Sequence, residues 1–341
     1  MAESLEPRVE TYIATRIAGA RNVRVSNLNR IAGGASRETF RFLLSYDDDS
    51  GPVERKLILR RDMPSSLIDT IRKVEYEAYR AFANTKVPVP EMLWLEEDVD
   101  HLGLPFFIAE EIAGFQADTG LLQTDAYRDQ RASIGRQKWA LLGEIAQIDP
   151  QAIGYHALFD PPAPQDVWHI QLDYWAGVLD NDAIRPEPVI RAVIRWMRRN
   201  PPPPPPKLSV VHGDYRTGNF LYDREGNVRA ILDWEMTHIG DPLEDIGWSL
   251  NRLWCFAKDD LRGGLLRREE AITAWESTSG MTVDPVAMHW WELFASVKGQ
   301  GIWVSAGENA INAQAKELIH FGTAWSCMNS QDRDALELMG R

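Results

Sequence analysis

Hydrophobic and polar positions divide the chain into a part typical of a β-sheet and a part typical of helices. Apolar residues at helical spacing predict a short helix from about 7 to 20. Strand-forming residues then predict two strands on either side of a glycine turn at 33–36, and a third strand at 56–61 after a turn cluster at 47–52. The three strands should form an antiparallel meander.

One predicted helix interrupts this sheet pattern before two more strands follow. Residues 68–84 place apolar side chains at i, i+3 and i+4 spacing, which predicts a helix. The prolines of the segment 87–90 end it, because proline cannot continue a helix and biases the residue before it towards extended geometry. Strands are predicted at 92–96 and 105–110.

The change of pattern along the chain predicts two domains of unequal size. Helical patterns dominate beyond Thr119, and 341 residues is the length of about two domains. We therefore expect an α+β protein. Residues 1–111 should form a small antiparallel-sheet lobe with one helix, and residues 112–341 a larger, mainly helical lobe.

Composition and charge exclude several classes of protein. The chain is 44% hydrophobic and 26% charged, which is typical of a soluble globular protein rather than a disordered one. Its 37 Lys and Arg residues against 50 Asp and Glu give a net charge of −13, which opposes binding to a nucleic-acid backbone or an anionic membrane. The first residues lack the pattern of a signal peptide. We therefore expect a cytoplasmic protein that binds neither nucleic acid nor membranes.

The densest cluster of polar residues in an apolar frame lies at 210–248. Two predicted strands in this segment are joined by a hairpin turn at 224–227. Folding back at that turn should bring Asn219, at the start of the first strand, close to Asp233, at the end of the second. The loop before the hairpin carries Asp214 to the same end.

The chemistry of these three side chains favours phosphoryl transfer. A carboxylate and an amide oxygen, from Asp233 and Asn219, are hard ligands suited to Mg²⁺, which bridges substrate phosphates. The remaining carboxylate, Asp214, is then free to accept a proton from an attacking hydroxyl or to orient it. Kinases divide the work of phosphoryl transfer in this way.

The same segment resembles a known family. HGDYRTGN, which begins at His212, is similar to the His-Gly-Asp-x4-Asn loop of the family that includes aminoglycoside phosphotransferases and choline kinases, and LDWE resembles its metal-binding Asp segment. The resemblance covers most of the chain to about residue 250 and implies a bilobal protein-kinase-like fold. It also implies Asp214 as catalytic base, Asn219 and Asp233 as Mg²⁺ ligands, ATP or GTP as co-substrate, and a small-molecule hydroxyl as acceptor.

The resemblance further implies nucleotide-binding residues in the predicted sheet. IAGGASRETFRF is similar to the glycine-containing hairpin over the nucleotide phosphates, where Gly34 and Ser36 would offer backbone N–H groups to anionic oxygens. Glu110 to Ile112 resemble the hinge whose backbone hydrogen-bonds the purine. Both Glu110 and Ile112 are therefore expected at the nucleotide.

The family pattern also places a phosphate-binding cation on the third strand, paired with a glutamate of the following helix. Protein kinases use Lys there, whereas this chain ends the strand with two arginines. We predict Arg60, since a guanidinium suits phosphate. Arg61 is the alternative, because neighbours on a strand point to opposite faces. Glu75 is the predicted partner and Glu77 the alternative.

The sequence leaves more than one possible acceptor and more than one possible function. Tryptophans after Gly247 suggest an aromatic-lined pocket for an apolar alcohol or acyl group rather than a polycationic sugar; they are Trp254, Trp275, Trp290, Trp291, Trp303 and Trp325. A metal-dependent phosphoesterase is one alternative function, because His212 and Asp214 could both ligate a metal. A non-catalytic nucleotide-binding module of the same fold is another.

Overall fold

A computed structural model describes residues 5–31, 37–62, 71–256, 260–311 and 318–340. The helices are α1 Leu5–Ala14, α2 Arg72–Phe82, α3 Val99–Leu102, α4 Thr119–Leu122, α5 Arg131–Gln147, α6 Val167–Asp182, α7 Pro188–Arg199, α8 Leu243–Leu250, α9 Arg268–Ser279, α10 Pro285–Ile311 and α11 Leu318–Leu338. The strands are β1 Arg21–Ile31, β2 Arg37–Asp48, β3 Gly51–Asp62, β4 Met92–Glu96, β5 Phe106–Glu110, β6 Ser209–Val211, β7 Phe220–Tyr222, β8 Val228–Ile231 and β9 His238–Gly240. Short 3₁₀ turns cover Asp125–Tyr127, Tyr155–Ala157 and Arg252–Cys255.

The N-terminal part contains a five-stranded antiparallel sheet in the order β1-β2-β3-β5-β4. β2 and β3 pair without interruption from Arg37 opposite Asp62 to Asp48 opposite Gly51, so the predicted meander is confirmed. β5 lies between β3 and β4 and carries four consecutive buried residues, Phe106 to Ala109, because both faces of the sheet are covered at this strand.

The helix α2 packs into a different core from α1 and one face of the sheet. Residues from α1 and one face of the sheet, such as Tyr12 and Phe106, form a small cluster of buried side chains. Tyr79 and Phe82 of α2 instead join the large core of the helical part, where the rings of Phe82 and Trp234 lie 4.3 Å apart between centroids. The helix α2 therefore ties the sheet to the region that follows it.

The C-terminal part is built around the long helix α10. This helix packs against α6, α7, α8 and α11, and most of its residues from 287 to 307 are buried. Two short hairpin-like ladders, β6 with β9 and β7 with β8, lie beside this bundle. Within the described residues, no helix is long and apolar enough to cross a membrane.

Most predicted elements are confirmed, and the differences have physical causes. The first helix ends at Ala14 instead of continuing to residue 20, because the Thr15 hydroxyl donates to the Tyr12 carbonyl and competes with the helical bond. The predicted helix at 68–84 is observed as Arg72–Phe82. The glycine turn at 33–36 lies outside the described residues. The boundary between residues 111 and 112 stays a prediction.

Candidate active site

The β7–β8 hairpin brings the three predicted site residues together. The Leu232 N–H donates to the Asn219 carbonyl over 2.8 Å, so Asn219 and Asp233 stand side by side where the hairpin begins and ends. The Asn219 side-chain amide donates to the Asp214 carbonyl over 2.8 Å and to Asp214 Oδ2 over 2.7 Å. The geometry predicted from the turn at 224–227 is thus present.

Three side chains hold the carboxylate of Asp214. Trp248 Nε1 donates to Oδ1 over 2.7 Å, while Asn219 Nδ2 and Arg216 Nε donate to Oδ2 over 2.7 and 3.1 Å. Arg216 is itself stacked on an indole, with its guanidinium carbon 5.0 Å from the Trp254 ring centroid. The orientation of the Asp214 carboxylate is therefore fixed from both sides.

The loop that carries Asp214 has its backbone held by α8 and α10. The N–H groups of His212 and Gly213 donate to the two oxygens of Asp245 over 2.6 and 2.9 Å, and Lys298 of α10 donates to the Gly213 carbonyl. Gly213 has φ +86°, and a Cβ there would lie 2.3 Å from the Met236 carbonyl oxygen, so only glycine fits.

A buried charge cluster supports the lysine that reaches this loop. Lys298 Nζ lies 3.2 Å from Glu244, which also contacts His238 over 3.0 Å. Burial acts to raise the pKa of Glu244, but His238 and Lys298 outweigh it and lower this pKa to about 2. Burial acts to lower the pKa of His238, and Glu244 raises it overall. Each charge in this cluster therefore has an opposite partner inside the protein.

His212 is a scaffold residue in this geometry. Its ring lies between Trp234 and Tyr215, with centroids 4.6 and 5.5 Å away. Its Nε2 bonds the Leu232 carbonyl over 2.9 Å, and its Nδ1 accepts from the Asp214 N–H over 3.1 Å. Because both ring nitrogens are engaged, neither has a lone pair for a metal. This removes the arrangement on which the phosphoesterase alternative depended.

A second charge cluster connects the sheet to the hairpin. Arg60, on β3, donates to Glu75 of α2 and to Asp233 Oδ1, the latter over 2.9 Å. Arg37, on β2, donates to the other oxygen of Glu75 over 2.9 Å. Glu75 is fully buried between the two guanidinium groups. Arg60 Nε is also buried, and no described residue accepts a hydrogen bond from it.

The alternative residues, Arg61 and Glu77, do not contact Arg60, Glu75 or Asp233 in the hydrogen bonds of the described residues. Arg61 lies on the opposite face of β3, where it donates to Glu38 and to the Leu102 carbonyl. Glu77 pairs with Arg80 at the surface of α2. Strand alternation and helical spacing therefore place Arg60 and Glu75, and not their neighbours, beside Asp233.

Asp233 has an unusual backbone that directs its side chain towards this cluster. Its φ is +70°, a left-handed conformation that non-glycine residues rarely adopt, and its N–H donates to the Tyr79 hydroxyl over 2.7 Å. Burial acts to raise the pKa of Asp233, but Arg60 outweighs it and lowers the pKa overall. The carboxylate is therefore kept ionised.

The donor set at this point fits a hard divalent cation. Asn219 uses its N–H groups on Asp214, and its Oδ1 accepts no hydrogen bond from the described residues. Asp233 offers an ionised carboxylate next to it. An amide oxygen and a carboxylate suit Mg²⁺. No group of three His, Cys, Asp or Glu residues with metal-binding geometry occurs in the described part of the chain.

The structure describes two of the other four residues predicted to bind the nucleotide. Glu110 ends β5, where its carboxylate accepts from the Glu91 N–H. The N–H of Ile112, two residues further on, has no acceptor among the described residues. Gly34 and Ser36 lie outside the described residues, so their predicted contacts stay predictions.

The tryptophans after Gly247 form part of the core. Trp275, Trp290 and Trp291 are at most 1% exposed, and Trp254 and Trp303 are 9% exposed. These five side chains therefore do not line an open pocket, and the expected aromatic-lined acceptor pocket is wrong for them. The side chain of Trp325 lies outside the described part.

Sequence reasoning missed three residues that hold the site. Trp248 and Arg216 bind the Asp214 carboxylate, and Lys298 binds the Gly213 carbonyl. A signal existed for Lys298, because it is the single charged residue in the stretch 293–307 and such a cation is buried only when paired. Nothing in the sequence pattern indicated that the Trp248 indole points at Asp214.

Comparison with known proteins finds relatives of this chain in sequence. A profile described as phosphotransferase enzyme family matches residues 27–280. Mouse acyl-CoA dehydrogenase family member 10 is 29% identical over 201 residues, which are 58% of this chain and 18% of that protein. The chain spans between 18% and 39% of the length of the curated relatives it matches.

Solved structures share the fold over nearly the whole chain. A Ralstonia eutropha protein designated an aminoglycoside phosphotransferase is 20% identical, with a TM-score of 0.75 and 98% of each chain covered. A thermostable mutant of aminoglycoside phosphotransferase APH(4)-Ia in ternary complex with AMP-PNP and hygromycin B is 19% identical, with a TM-score of 0.58 and 96% of this chain and 97% of that chain covered. These likenesses confirm the predicted α+β, protein-kinase-like fold class.

Proposed function

Because this chain belongs to the phosphotransferase enzyme family, we propose that it transfers the terminal phosphate of ATP or GTP to a hydroxyl group of a small molecule. The observation that carries the proposal is the carboxylate of Asp214, held by Trp248, Asn219 and Arg216 beside Asp233. Three donors use three of its about four lone-pair sites, which leaves one for an acceptor hydroxyl.

In this proposal Asp214 orients the acceptor and takes its proton. The acceptor oxygen forms a bond to the terminal phosphorus, and the bond from that phosphorus to the bridging oxygen of the nucleotide breaks. The nucleoside diphosphate leaves, and the hydroxyl proton passes to Asp214. Arg216 lies against the same carboxylate and supplies positive charge at the place where the transferred phosphate carries negative charge.

The nucleotide is proposed to bind between residues 1–111, as nucleotide-binding lobe, and residues 112–341, as catalytic lobe. Arg60, whose side chain remains 15% exposed, is the cation proposed to reach a phosphate oxygen. The free N–H of Ile112 and the neighbouring backbone of Glu110 would bind the purine. Gly34 and Ser36 are proposed to contribute N–H groups to the phosphates.

Asn219 Oδ1 and the Asp233 carboxylate would hold Mg²⁺. When bound, this ion neutralises phosphate charge and orients the phosphate oxygens. The contribution of the chain is to keep Asp233 ionised through Arg60 and to turn the Asn219 oxygen away from Asp214.

The proteins that this chain resembles suggest two classes of acceptor. Solved structures of similar fold include one with hygromycin B bound, and the curated relatives are named acyl-CoA dehydrogenase family members. Sugars and hydroxyacyl thioesters are therefore both reasonable acceptors to test. The apolar stretch of buried tryptophans gives no preference between them.

A release assay tests the proposal. Purified protein with Mg²⁺ and either ATP or GTP is screened for ADP or GDP release over aminoglycosides, amino alcohols, macrolides, sugars and hydroxyacyl thioesters. We expect turnover with at least one acceptor, and a loss of about 100- to 10,000-fold in Asp214→Asn, because a general base contributes roughly that factor. Nucleotide affinity of this variant, measured by calorimetry, should stay near that of the natural chain.

Two results would contradict parts of the proposal. Protein that binds neither nucleotide in the presence of Mg²⁺ would refute phosphotransferase function. Nucleotide-dependent thermal stabilisation without turnover over the whole panel would favour the non-catalytic module instead. Unchanged turnover in Asp214→Asn would remove Asp214 from the role of base.

A further inference from the structure

A cavity lies at the C-terminal end of α8, between α10 and α11. Its volume is about 240 Å³, far above the roughly 15 Å³ that one water needs on this measure. It is lined by Gly247, Leu250, Asn251, Arg252, Arg262, Glu292, Ser296, Asp334, Glu337 and Leu338. None of these residues was predicted as a site residue, and none contacts the Arg60 cluster.

Two of the lining side chains are buried polar groups without partners. Asp334 is 3% exposed, and neither of its carboxylate oxygens accepts a hydrogen bond in the described chain. Ser296 is fully buried, and its hydroxyl also has no partner there. Burial raises the pKa of Asp334 overall, and the backbone N–H of Arg252 is among the groups that act to lower it. Buried polar groups are otherwise nearly always paired, so these two indicate a missing ligand.

The charges around the cavity are already balanced. Glu292 makes a two-point ion pair with Arg268, at 2.8 and 2.9 Å, and Glu337 pairs with Arg252. Burial raises the pKa of Asp334, while Arg252 and Arg262 act to lower it, so positive charge already surrounds this carboxylate. What Asp334 lacks is hydrogen-bond donors rather than a further cation.

Arg262 and Ser296, which also line the cavity, remain available for hydrogen bonds to a molecule inside it. The Arg262 guanidinium has the Cys255 thiol, at 3.8 Å, as its hydrogen-bond partner in the described chain. It can therefore still donate to an oxygen in the cavity. Together, the lining offers acceptors on Asp334, a donor on Arg262, and a hydroxyl on Ser296 that can do either.

We propose that this cavity binds a neutral polyol, whose adjacent hydroxyl groups donate to Asp334 and Ser296 and accept from Arg262. A neutral ligand of this kind supplies the missing hydrogen bonds without disturbing the charge balance. Gly247, which lines the cavity, directly precedes Trp248, the residue that holds the candidate base. The binding itself requires neither nucleotide nor phosphoryl transfer, so it stands independently of the proposed reaction.

Calorimetry and thermal melting test the site. D-ribose and myo-inositol serve as neutral probes, and putrescine serves as a cationic one, all without nucleotide. We expect saturable binding of at least one polyol and a rise in Tm of about 2 °C at tenfold excess over its Kd. Asp334→Asn should weaken this binding tenfold or more, and Ser296→Ala should weaken it by a smaller factor.

A matched control separates binding from folding. Asp332→Asn makes the same change on the same helix, at a carboxylate that burial also perturbs but that does not line the cavity. Since burial raises the pKa of both carboxyl groups, removing either charge should not destabilise the fold. Binding that is lost only in Asp334→Asn supports the site. Absence of polyol binding, equal loss in both variants, or binding of putrescine instead would overturn it.

Discussion

Two charge clusters flank the Asp214 loop, and they differ in how far their side chains are exposed to solvent. The inner cluster of Glu244, Lys298 and His238 sits among the helices, and the Glu244 and Lys298 side chains are 1 and 2% exposed. The outer cluster of Arg37, Arg60, Glu75 and Asp233 joins the sheet to the hairpin, and its Asp233 side chain is 25% exposed.

This difference in solvent exposure corresponds to a difference between structural support and ligand binding. In the inner cluster every charge is used within the protein, so it can only brace backbone, as Lys298 does for Gly213. In the outer cluster the side chains of Asp233 and Arg60 both remain partly exposed to solvent. Its charges can therefore be shared with a bound molecule. Three substitutions test this distinction.

The largest effect is expected at the inner cluster, on stability. Lys298→Met leaves the buried Glu244 with only His238 as its opposite charge, so we expect a loss of about 3–5 kcal/mol in the free energy of unfolding, measured by urea denaturation. The double variant with Glu244→Gln should recover part of this loss. A loss below about 1 kcal/mol would show that the inner cluster is not a structural brace.

An intermediate effect is expected at the outer cluster, on nucleotide binding. Arg60→Gln removes a charge-assisted donor, so the Kd for ATP or GTP with Mg²⁺ should rise about 10- to 100-fold in calorimetry. The control is Arg61→Gln, which makes the same change on the opposite face of β3, where the partner is Glu38. Equal weakening in both variants would contradict the distinction between the two faces.

The smallest effect is expected at Trp248, on turnover alone. Trp248→Phe keeps an aromatic side chain but removes one neutral donor to Asp214, and this loss of about 1 kcal/mol corresponds to a kcat about fivefold lower. The KM for nucleotide should not change. Trp275→Phe is the control, because this tryptophan is also buried and its indole N–H has no partner in the described chain. A change in KM instead of kcat would assign Trp248 to binding.

The sequence predicted the local parts of this architecture well, for a physical reason. Strand alternation sends Arg60 and Arg61 to opposite faces of β3, and the turn at 224–227 brings Asn219 to Asp233, because both relations are set by neighbouring residues in the chain. Such relations are determined by short segments of sequence, so they can be predicted without knowing the rest of the fold.

The contacts that were missed depend on how distant helices dock. Lys298 is 85 positions after Gly213, and Trp248 is 34 positions after Asp214. The tryptophans were misjudged for the same reason, since the face of α10 that is covered depends on the helices packed around it. The cavity lined by Asp334 could not be foreseen, because four separate segments of the chain enclose it.

The bracing of the Asp214 loop also has a consequence for how the chain is made. Synthesis proceeds from the N-terminus, so the loop at residue 213 leaves the ribosome well before Asp245 and Lys298, which hold its backbone. A nascent chain that stops short of residue 298 can carry Asp214, Asn219 and Asp233 and still lack the lysine that holds the Gly213 carbonyl. The geometry of the candidate active site is thus a late product of synthesis, completed only when α10 has been added.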